Sequence, residues 1–280
     1  LEAEGSYDFK TEALDYLGKL ALSETIFSGL PYVERIEGIE GEISFSKDNV
    51  KTQGLKMELL ESELELKGEL SGFKAPYIRA NISSQSLGLT KLNEFLAQSK
   101  IIGVPFELKG RVGLDLNIDG PAFKPQDLKL SGQVVLKDNK LNLPQFKEEI
   151  SGISGAINFS KVSLEAKNLK LSAWGSLFNI GLSVADFKNP LISAGISSSS
   201  VRLEKVAAFL TGNNLVQIPF GIEGEAGVNL NLKLTALDTN TLEVNGEITL
   251  NNAKINIAAL KEDVSSICGG FIFSGDAIKW

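Results

Sequence analysis

The sequence contains no histidine, and its only cysteine is Cys268. Without imidazole there is no ordinary general base at neutral pH and no Ser-His or Cys-His nucleophile pair. A single thiol leaves no Cys/His zinc site and no intramolecular disulfide, and such a residue is expected to be a small buried side chain rather than a nucleophile. Clustered positive charge is missing as well. The 35 Asp and Glu outnumber the 28 Lys and Arg, giving a net charge of −7 and nothing that reads as a nucleic-acid footprint or a polybasic membrane patch. No apolar run approaches the roughly 18 residues of a membrane span, and the opening LEAEGSYDFK is not a signal peptide.

What is present reads as a β-rich globular chain. Hydrophobic residues make up 43%, charged residues 22%, and 27 glycines against 8 prolines suit many turns. A length of 280 residues admits one large or two medium domains. The clearest pattern is Pro105 to Asp119, PFELKGRVGLDLNID, where Phe106, Leu108, Val112, Leu114, Leu116 and Ile118 alternate with polar residues and Gly110 is the one interruption on the apolar side. That is the period of a β-strand with one apolar and one wet face, and its length predicts a long strand.

The same stretch recurs 114 residues later as Pro219 to Lys233, with Phe220, Ile222, Ala226, Val228, Leu230 and Leu232 in the matching places. Ile36 to Ser46 (IEGIEGEISFS) matches Ile150 to Ser160 (ISGISGAINFS) and again Val264 to Ser274 (VSSICGGFIFS), both at a step of 114. Residues 36–149 align with 150–263 without a gap, and roughly a third of the positions are identical. The expected organisation is a shortened end of a preceding repeat in 1–35, two full repeats at 36–149 and 150–263, and the start of a third at 264–280, as in a piece of a longer protein.

Within each repeat the pattern predicts strands over 50–57, 63–70 and 77–84, matched by 164–171, 177–184 and 191–198, then one short helix, Leu87 to Ala97 or Val201 to Thr211. Leu89, Leu92, Phe95 and Leu96 form its apolar stripe, as do Leu203, Val206, Phe209 and Leu210, with Ser86 and Ser200 as expected N-caps. The long strand follows, then 128–136 or 242–250, and a last short strand at 141–143 or 255–257. The loop Gly120 to Pro125, with its two prolines, is expected to turn in the first copy only. In residues 1–35, a strand from Ser6 to Lys10 precedes a short helix built on Ala13, Leu14, Tyr16, Leu17 and Leu20, capped by Thr11.

About seven one-sided strands and a single ten-residue helix per repeat are out of balance, because one helix covers only a narrow stripe. The apolar face must be covered by another sheet, by the sheet curling on itself, or by a ligand; a sandwich or closed barrel is the ordinary outcome. The continuous repeat, with no Gly/Ser/Pro-rich spacer across Leu143 to Ile150, instead favours one long, strongly curved antiparallel sheet forming a groove. Its lining is expected to comprise Ile43, Phe45, Leu64, Leu66, Ile78 and Ile82, then Phe106, Leu108, Leu114, Leu116 and Ile118, then Leu128, Leu130, Val134 and Leu136. The second copy contributes Ile157, Phe159, Ile180, Leu182, Ile192 and Ile196, then Phe220, Ile222, Val228, Leu230 and Leu232, then Leu242, Val244, Ile248 and Leu250. A channel of Leu, Ile, Val and Phe with no fixed polar constellation suits alkyl chains, at about 0.8 kcal/mol per methylene removed from water.

The recurrent opening at Ile36, Ile150 and Val264, the long strand entered through Pro105-Phe106 and Pro219-Phe220, and the strands Ile78 to Leu87 and Ile192 to Val201 running into short helices resemble the AsmA-like proteins of diderm bacteria, relatives of the repeating-β-groove, bridge-like lipid transfer proteins. The resemblance covers nearly all of residues 36–280 and is thinner before that. It implies a soluble fragment of a periplasmic, inner-membrane-anchored bridge that carries glycerophospholipid toward the outer membrane, meeting envelope membranes through parts outside this chain. It supplies no catalytic residue, cofactor or metal.

Two other classes stay open on the residues. A structural or assembly module of the TamB kind would offer edge strands to other β-chains, with Ile267 to Phe273 as an exposed edge. An enzyme would have to be a carboxylate-pair hydrolase, and Glu148-Glu149, repeated as Glu262-Asp263, is the only pair on offer. Neighbouring residues of a strand face opposite ways, so a solvated turn is the simpler reading and no enzyme is expected.

Overall fold

The computed structural model describes residues 1–8, 10, 13–30, 33–99, 107–142, 149–214, 216–257, 263–274 and 277–279. The chain is mostly β, with its strands in one large open antiparallel sheet and two α-helices among the described residues. In chain order the strands are β1 (Glu2–Asp8), β2 (Ala13–Leu30), β3 (Val33–Ser46), β4 (Asn49–Leu59), β5 (Ser62–Ser71), β6 (Tyr77–Gly88), β7 (Glu107–Lys109), β8 (Arg111–Pro121) and β9 (Lys129–Asn142). They continue as β10 (Glu149–Ser160), β11 (Ser163–Ala173), β12 (Ser176–Ala185), β13 (Leu191–Arg202), β14 (Gly221–Thr235), β15 (Glu243–Asn256), β16 (Val264–Ser274) and β17 (Ala277–Lys279). Helix α1 (Leu89–Ser99) follows β6, and α2 (Leu203–Gly212) follows β13.

Two compact units divide the chain: residues 1–103, 111–135 and 158–161 form the first, and 104–110, 136–157 and 162–280 the second. In the first, β1 to β6 pair in sequence order and β8 joins β6. In the second, β11 to β17 pair in sequence order and β7 joins β9. Alternation decides these elements, since each strand carries apolar residues at every second position and its neighbour does the same in register.

Several expectations need correction. Residues 13–20 are not helical: Ala13–Leu30 is one strand whose start pairs with β1, Tyr7 opposite Leu14 and Gly5 opposite Tyr16. Leu14, Tyr16, Leu20 and Leu22 also fit period 2, and pairing with β1 and β3 gives the backbone more partners than a single short helix turn would. Both later helices begin two residues beyond their expected starts. Strand pairing runs on through Leu87 opposite Val112 and through Arg202 opposite Glu225, so the serines meant as caps belong to strands. The Ser86 hydroxyl instead accepts from the Arg111 guanidinium at 2.5 Å, and Arg202 takes the N-cap position of α2 with no side-chain cap.

The long strand of the first copy is split at Gly110, where φ is +115°; in the second copy β14 continues through Gly224, φ +109°, by a shift in register. The segments expected as separate strands at 128–136 and 141–143 are one strand, β9, bent at Asp138 with φ +55°. The turn of residues 120–125 is not confined to the first copy. Ala122 N–H reaches the Pro76 carbonyl at 2.8 Å, and Ala236 N–H reaches that of Pro190 at 2.8 Å. The two prolines are replaced there by Thr235 and Thr239, and the Asp238 carboxylate accepts the Asn240 N–H at 2.9 Å. Cys268 is exposed rather than buried, because Ile267, in register with Ala253, takes the apolar side of β16 and its neighbour faces away. Nor is all of 267–273 a free edge, since β17 pairs with Ile272, Phe273 and Ser274.

Candidate functional site

On the apolar face of the first unit the side chains line up in rows across the strands. One row runs Gly18, Phe45, Val50, Leu70, Ile78 and Gly120; the next runs Leu20, Ile43, Thr52, Gly68, Ala80 and Ile118. Beyond them Leu55, Leu66, Ile82 and Leu116 form a third row, and Met57 and Leu64 a fourth that Leu114 continues beside Ser84. The second unit has rows of the same kind. Leu169, Ile180, Ile196, Leu230, Gly246 and Phe273 make one, and Ala166, Leu182, Ala194, Leu232 and Val244 another. Leu171, Phe178, Ser198, Val228, Ile248 and Phe271 make a third, while Val184 and Ile192 lead to Leu234.

Each expected lining residue but one can therefore be placed. Leu108, in β7 opposite Leu141, is half-buried, as are Leu128, Leu130, Val134 and Ile157. Leu64 and Leu136 are buried. Ile222 pairs with Ile255, and Leu250 with Ala226. Two residues stand outside the strands and are exposed, Phe220 at 38% and Leu242 at 50%. Phe106 lies outside the described residues.

Sequence reading missed one recurring contact. The Phe45 ring crosses Gly18, its partner in register, and a Cβ added at Gly132 would meet the Phe159 ring at 2.8 Å; Phe273 is likewise the register partner of Gly246. In all three cases the phenylalanine follows the glycine by 27 residues, a spacing present in the sequence but meaningless until the strands are paired. Trp174 was missed too. It sits with Gly175 in the two-residue turn between β11 and β12 and packs on Phe178 and on Phe209 of α2. Val206 of the same helix packs with Ala173, Phe178 and Val201, so α2 lies on one end of the second unit's apolar face.

Most of each face is not covered in this way. The chain exposes 18,412 Å², against roughly 11,700 Å² for a compact monomer of its 30.1 kDa and roughly 14,000 Å² if that mass formed two separate compact bodies. The excess is therefore independent of how the units are arranged, and most Leu, Ile, Val and Phe of the rows above are half-buried rather than buried.

The opposite face is polar and self-paired. Arg79 meets Asp119 at 3.2 Å, the Tyr77 hydroxyl donates to Asp119 at 2.8 Å, and Asn81 donates to Asp115 and Asn117 at 2.7 and 3.0 Å. The Tyr77 hydrogen bond, with help from Arg79, holds the Asp119 carboxyl below its usual range, and Asp119 raises Tyr77 in return. Of the two acidic pairs, the described members are ion-paired. Glu149 meets Lys140 at 2.8 Å, Asp263 meets Lys254 at 2.6 Å, and Glu148 and Glu262 lie outside the described residues. Lys254 and then Asn256 hold Asp263 below the usual carboxylate range. Among the described residues no group of three or more His, Cys, Asp or Glu is placed to share a metal ion, and no helix is long and apolar enough to cross a membrane. Comparison with protein-family models, with curated proteins and with solved structures finds no match to this chain.

Proposed function

We propose that the apolar faces hold the acyl chains of glycerophospholipids, and that the chain is a segment of a bridge-like lipid transfer protein working in the periplasm between inner and outer membranes. The observation that carries this reading is the width of apolar surface left uncovered on the sheet. Soluble monomers rarely leave contiguous apolar patches beyond a few hundred Å² without a binding role.

The spacing of the elements supports a groove built from repeats. Strands β4 and β11 begin at Asn49 and Ser163, β6 and β13 at Tyr77 and Leu191, α1 and α2 at Leu89 and Leu203, and β9 and β15 at Lys129 and Glu243, each pair 114 residues apart. A curved sheet of this kind presents an acyl chain with nearly the same rows at every step, so the chain exchanges one set of contacts for an equal set as it moves. Headgroups, which the apolar rows cannot solvate, remain in water.

Purification without detergent, followed by lipid extraction and mass spectrometry, tests the proposal. Stoichiometric phospholipid is expected. A stable protein free of lipid would overturn it in favour of a strand-capturing assembly module, for which the fully exposed β1 is the supporting feature.

A further inference from the structure

Two neighbouring turns at one end of the first unit each hold an aromatic ring out in water. Ala75 N–H donates to the Gly72 carbonyl at 2.8 Å, which leaves Phe73 and Lys74 as the middle residues of the turn between β5 and β6. Lys124 N–H donates to the Pro121 carbonyl at 3.2 Å, which puts Ala122 and Phe123 in the same places of the turn after β8. Ser71, Tyr77 and Pro121 are in register, and Ala122 N–H reaches the Pro76 carbonyl at 2.8 Å, so the turns stand side by side. Phe123 is 81% exposed and Phe73 43%.

Both turns are held from outside. The Asp48 carbonyl accepts the Gly72 N–H at 2.7 Å. The Lys161 ammonium donates to the carbonyls of Pro125 at 3.2 Å and Leu128 at 3.3 Å, and to that of Gln126 between them. The rings are thus fixed in place before anything binds them, and little ordering cost remains for a contact. The sheet itself gains nothing from an exposed phenyl group, yet the second unit keeps apolar residues at both places: Phe187 and Leu237, 114 residues beyond Phe73 and Phe123, are 49% and 66% exposed.

The neighbouring charges select the partner. Lys74 and Lys124 directly follow the two rings and are exposed. With Lys161 they make three cations against the carboxylates of Asp48 and Asp127, while Lys47 is paired with Asp15. This is a local positive excess in a chain of net charge −7. An aromatic ring sits well at the headgroup level of a bilayer, and a lysine beside it can lay its stem along apolar groups while its ammonium meets a lipid phosphate. A bilayer interface accepts two separate prongs, whereas a protein partner would have to supply a pocket for each. In the second unit the balance reverses. Asp238 stands in the place of Lys124 and Asp186 in that of Gly72, against Lys188 alone.

We infer that the Phe73 and Phe123 turns dock the first unit on an anionic bilayer, with Lys74 and Lys124 on lipid phosphates, and that the Phe187 and Leu237 turns do not. The inference is independent of the groove reading, because it uses the turns and not the apolar face.

Sedimentation of the full chain with vesicles tests it. Binding to mixed phosphatidylglycerol and phosphatidylcholine vesicles is expected to be at least about tenfold tighter than to phosphatidylcholine alone, and to weaken with salt. Phe73→Ser with Phe123→Ser should lower it about tenfold or more, and Lys74→Glu with Lys124→Glu should do the same on the mixed vesicles only, both with an unchanged far-ultraviolet spectrum. Should the serine variant fail to fold, the lysine variant and the salt dependence decide. Phe187→Ser with Leu237→Ser should leave binding within about twofold of wild type, and an equal loss there would overturn the assignment to the first unit. Binding lost in Leu116→Glu with Leu230→Glu but kept in the Phe73 and Phe123 variant would show that the bilayer is met through the apolar face, overturning the docking turns and leaving the groove reading intact. Absence of sedimentation would overturn the membrane contact, and a dimer in light scattering that the Phe73 and Phe123 variant dissolves would then assign the turns to a second copy of the chain.

Discussion

The Trp174 ring centroid stands 4.9 Å from that of Phe209, tilted by 53°, and this contact ties helix α2 to the turn between β11 and β12. Phe178 supports the same indole edge-on at 5.7 Å. Trp174 keeps this position at φ +51°, in the left-handed region that a side-chain-bearing residue enters at a cost of about 1–2 kcal/mol. The packing offsets a local strain, and α2 is held against the apolar face as a result.

Replacing Trp174 by Ala is therefore expected to destabilise the second unit by about 1–3 kcal/mol, from lost ring contacts with the strained backbone retained. Trp174→Gly should be the milder change, by about 1 kcal/mol, since glycine adopts the turn freely. Urea unfolding measures both, and hydrogen exchange should show residues 203–212 opening first. Unchanged protection of that helix in either variant would show that the aromatic contact does not hold it.

Leu116 lies opposite Ile82, and Leu230 between Ile196 and Gly246, all half-buried. Under the groove proposal, Leu116→Glu and Leu230→Glu leave the far-ultraviolet spectrum and melting temperature close to wild type. They abolish lipid retention, because a carboxylate amid the rows has no partner once an acyl chain excludes water. Cooperative unfolding of both variants would mean instead that the rows are a closed core.

Acid should weaken the polar face at Asp119. Its pKa is lowered in the fold, first by the Tyr77 hydrogen bond and then by Arg79, so its contribution is complete above the unfolded value of about 3.9 and is lost as pH falls through the lower folded value. Tyr77→Phe should move the carboxyl back toward the ordinary range. A carboxyl carbon NMR titration reads this directly, and an unmoved titration would reassign the shift to Arg79.

The glycines should separate by environment. A methyl at Gly132 collides with the Asp115 carbonyl and the Phe159 ring, and one at Gly246 meets the Leu230 Cα at 2.8 Å, so Gly132→Ala and Gly246→Ala should each cost more than about 1 kcal/mol. Gly152, at φ +63° with no atom within 4 Å of an added Cβ, carries only the conformational cost of about 1 kcal/mol. Denaturant unfolding of the three variants checks the order.

Much of the apolar face was legible in the chain. Leu64, Leu66, Gly68 and Leu70 alternate without a break, as do Val228, Leu230 and Leu232, and each set shares one side of its strand. The N-terminal residues misled because Ala13, Leu14, Leu17 and Leu20 suit a helix while Leu14, Tyr16, Leu20 and Leu22 suit a strand. β1 and β3, ready to pair on either side, settle that ambiguity. The helix starts were displaced for a related reason, since serine is a good cap only where the preceding strand has no further partner.

By itself, then, the sequence determined which residues share a face and where the same elements return, because side-chain direction in a strand has period 2 and needs no knowledge of neighbours. Only the tertiary structure decided register: that Phe45 lies over Gly18, that Thr52, Gly68 and Ala80 meet in one low row, and that Trp174 reaches Phe209. Those contacts depend on where bulges shift one strand against the next, a choice made jointly by residues far apart in the chain.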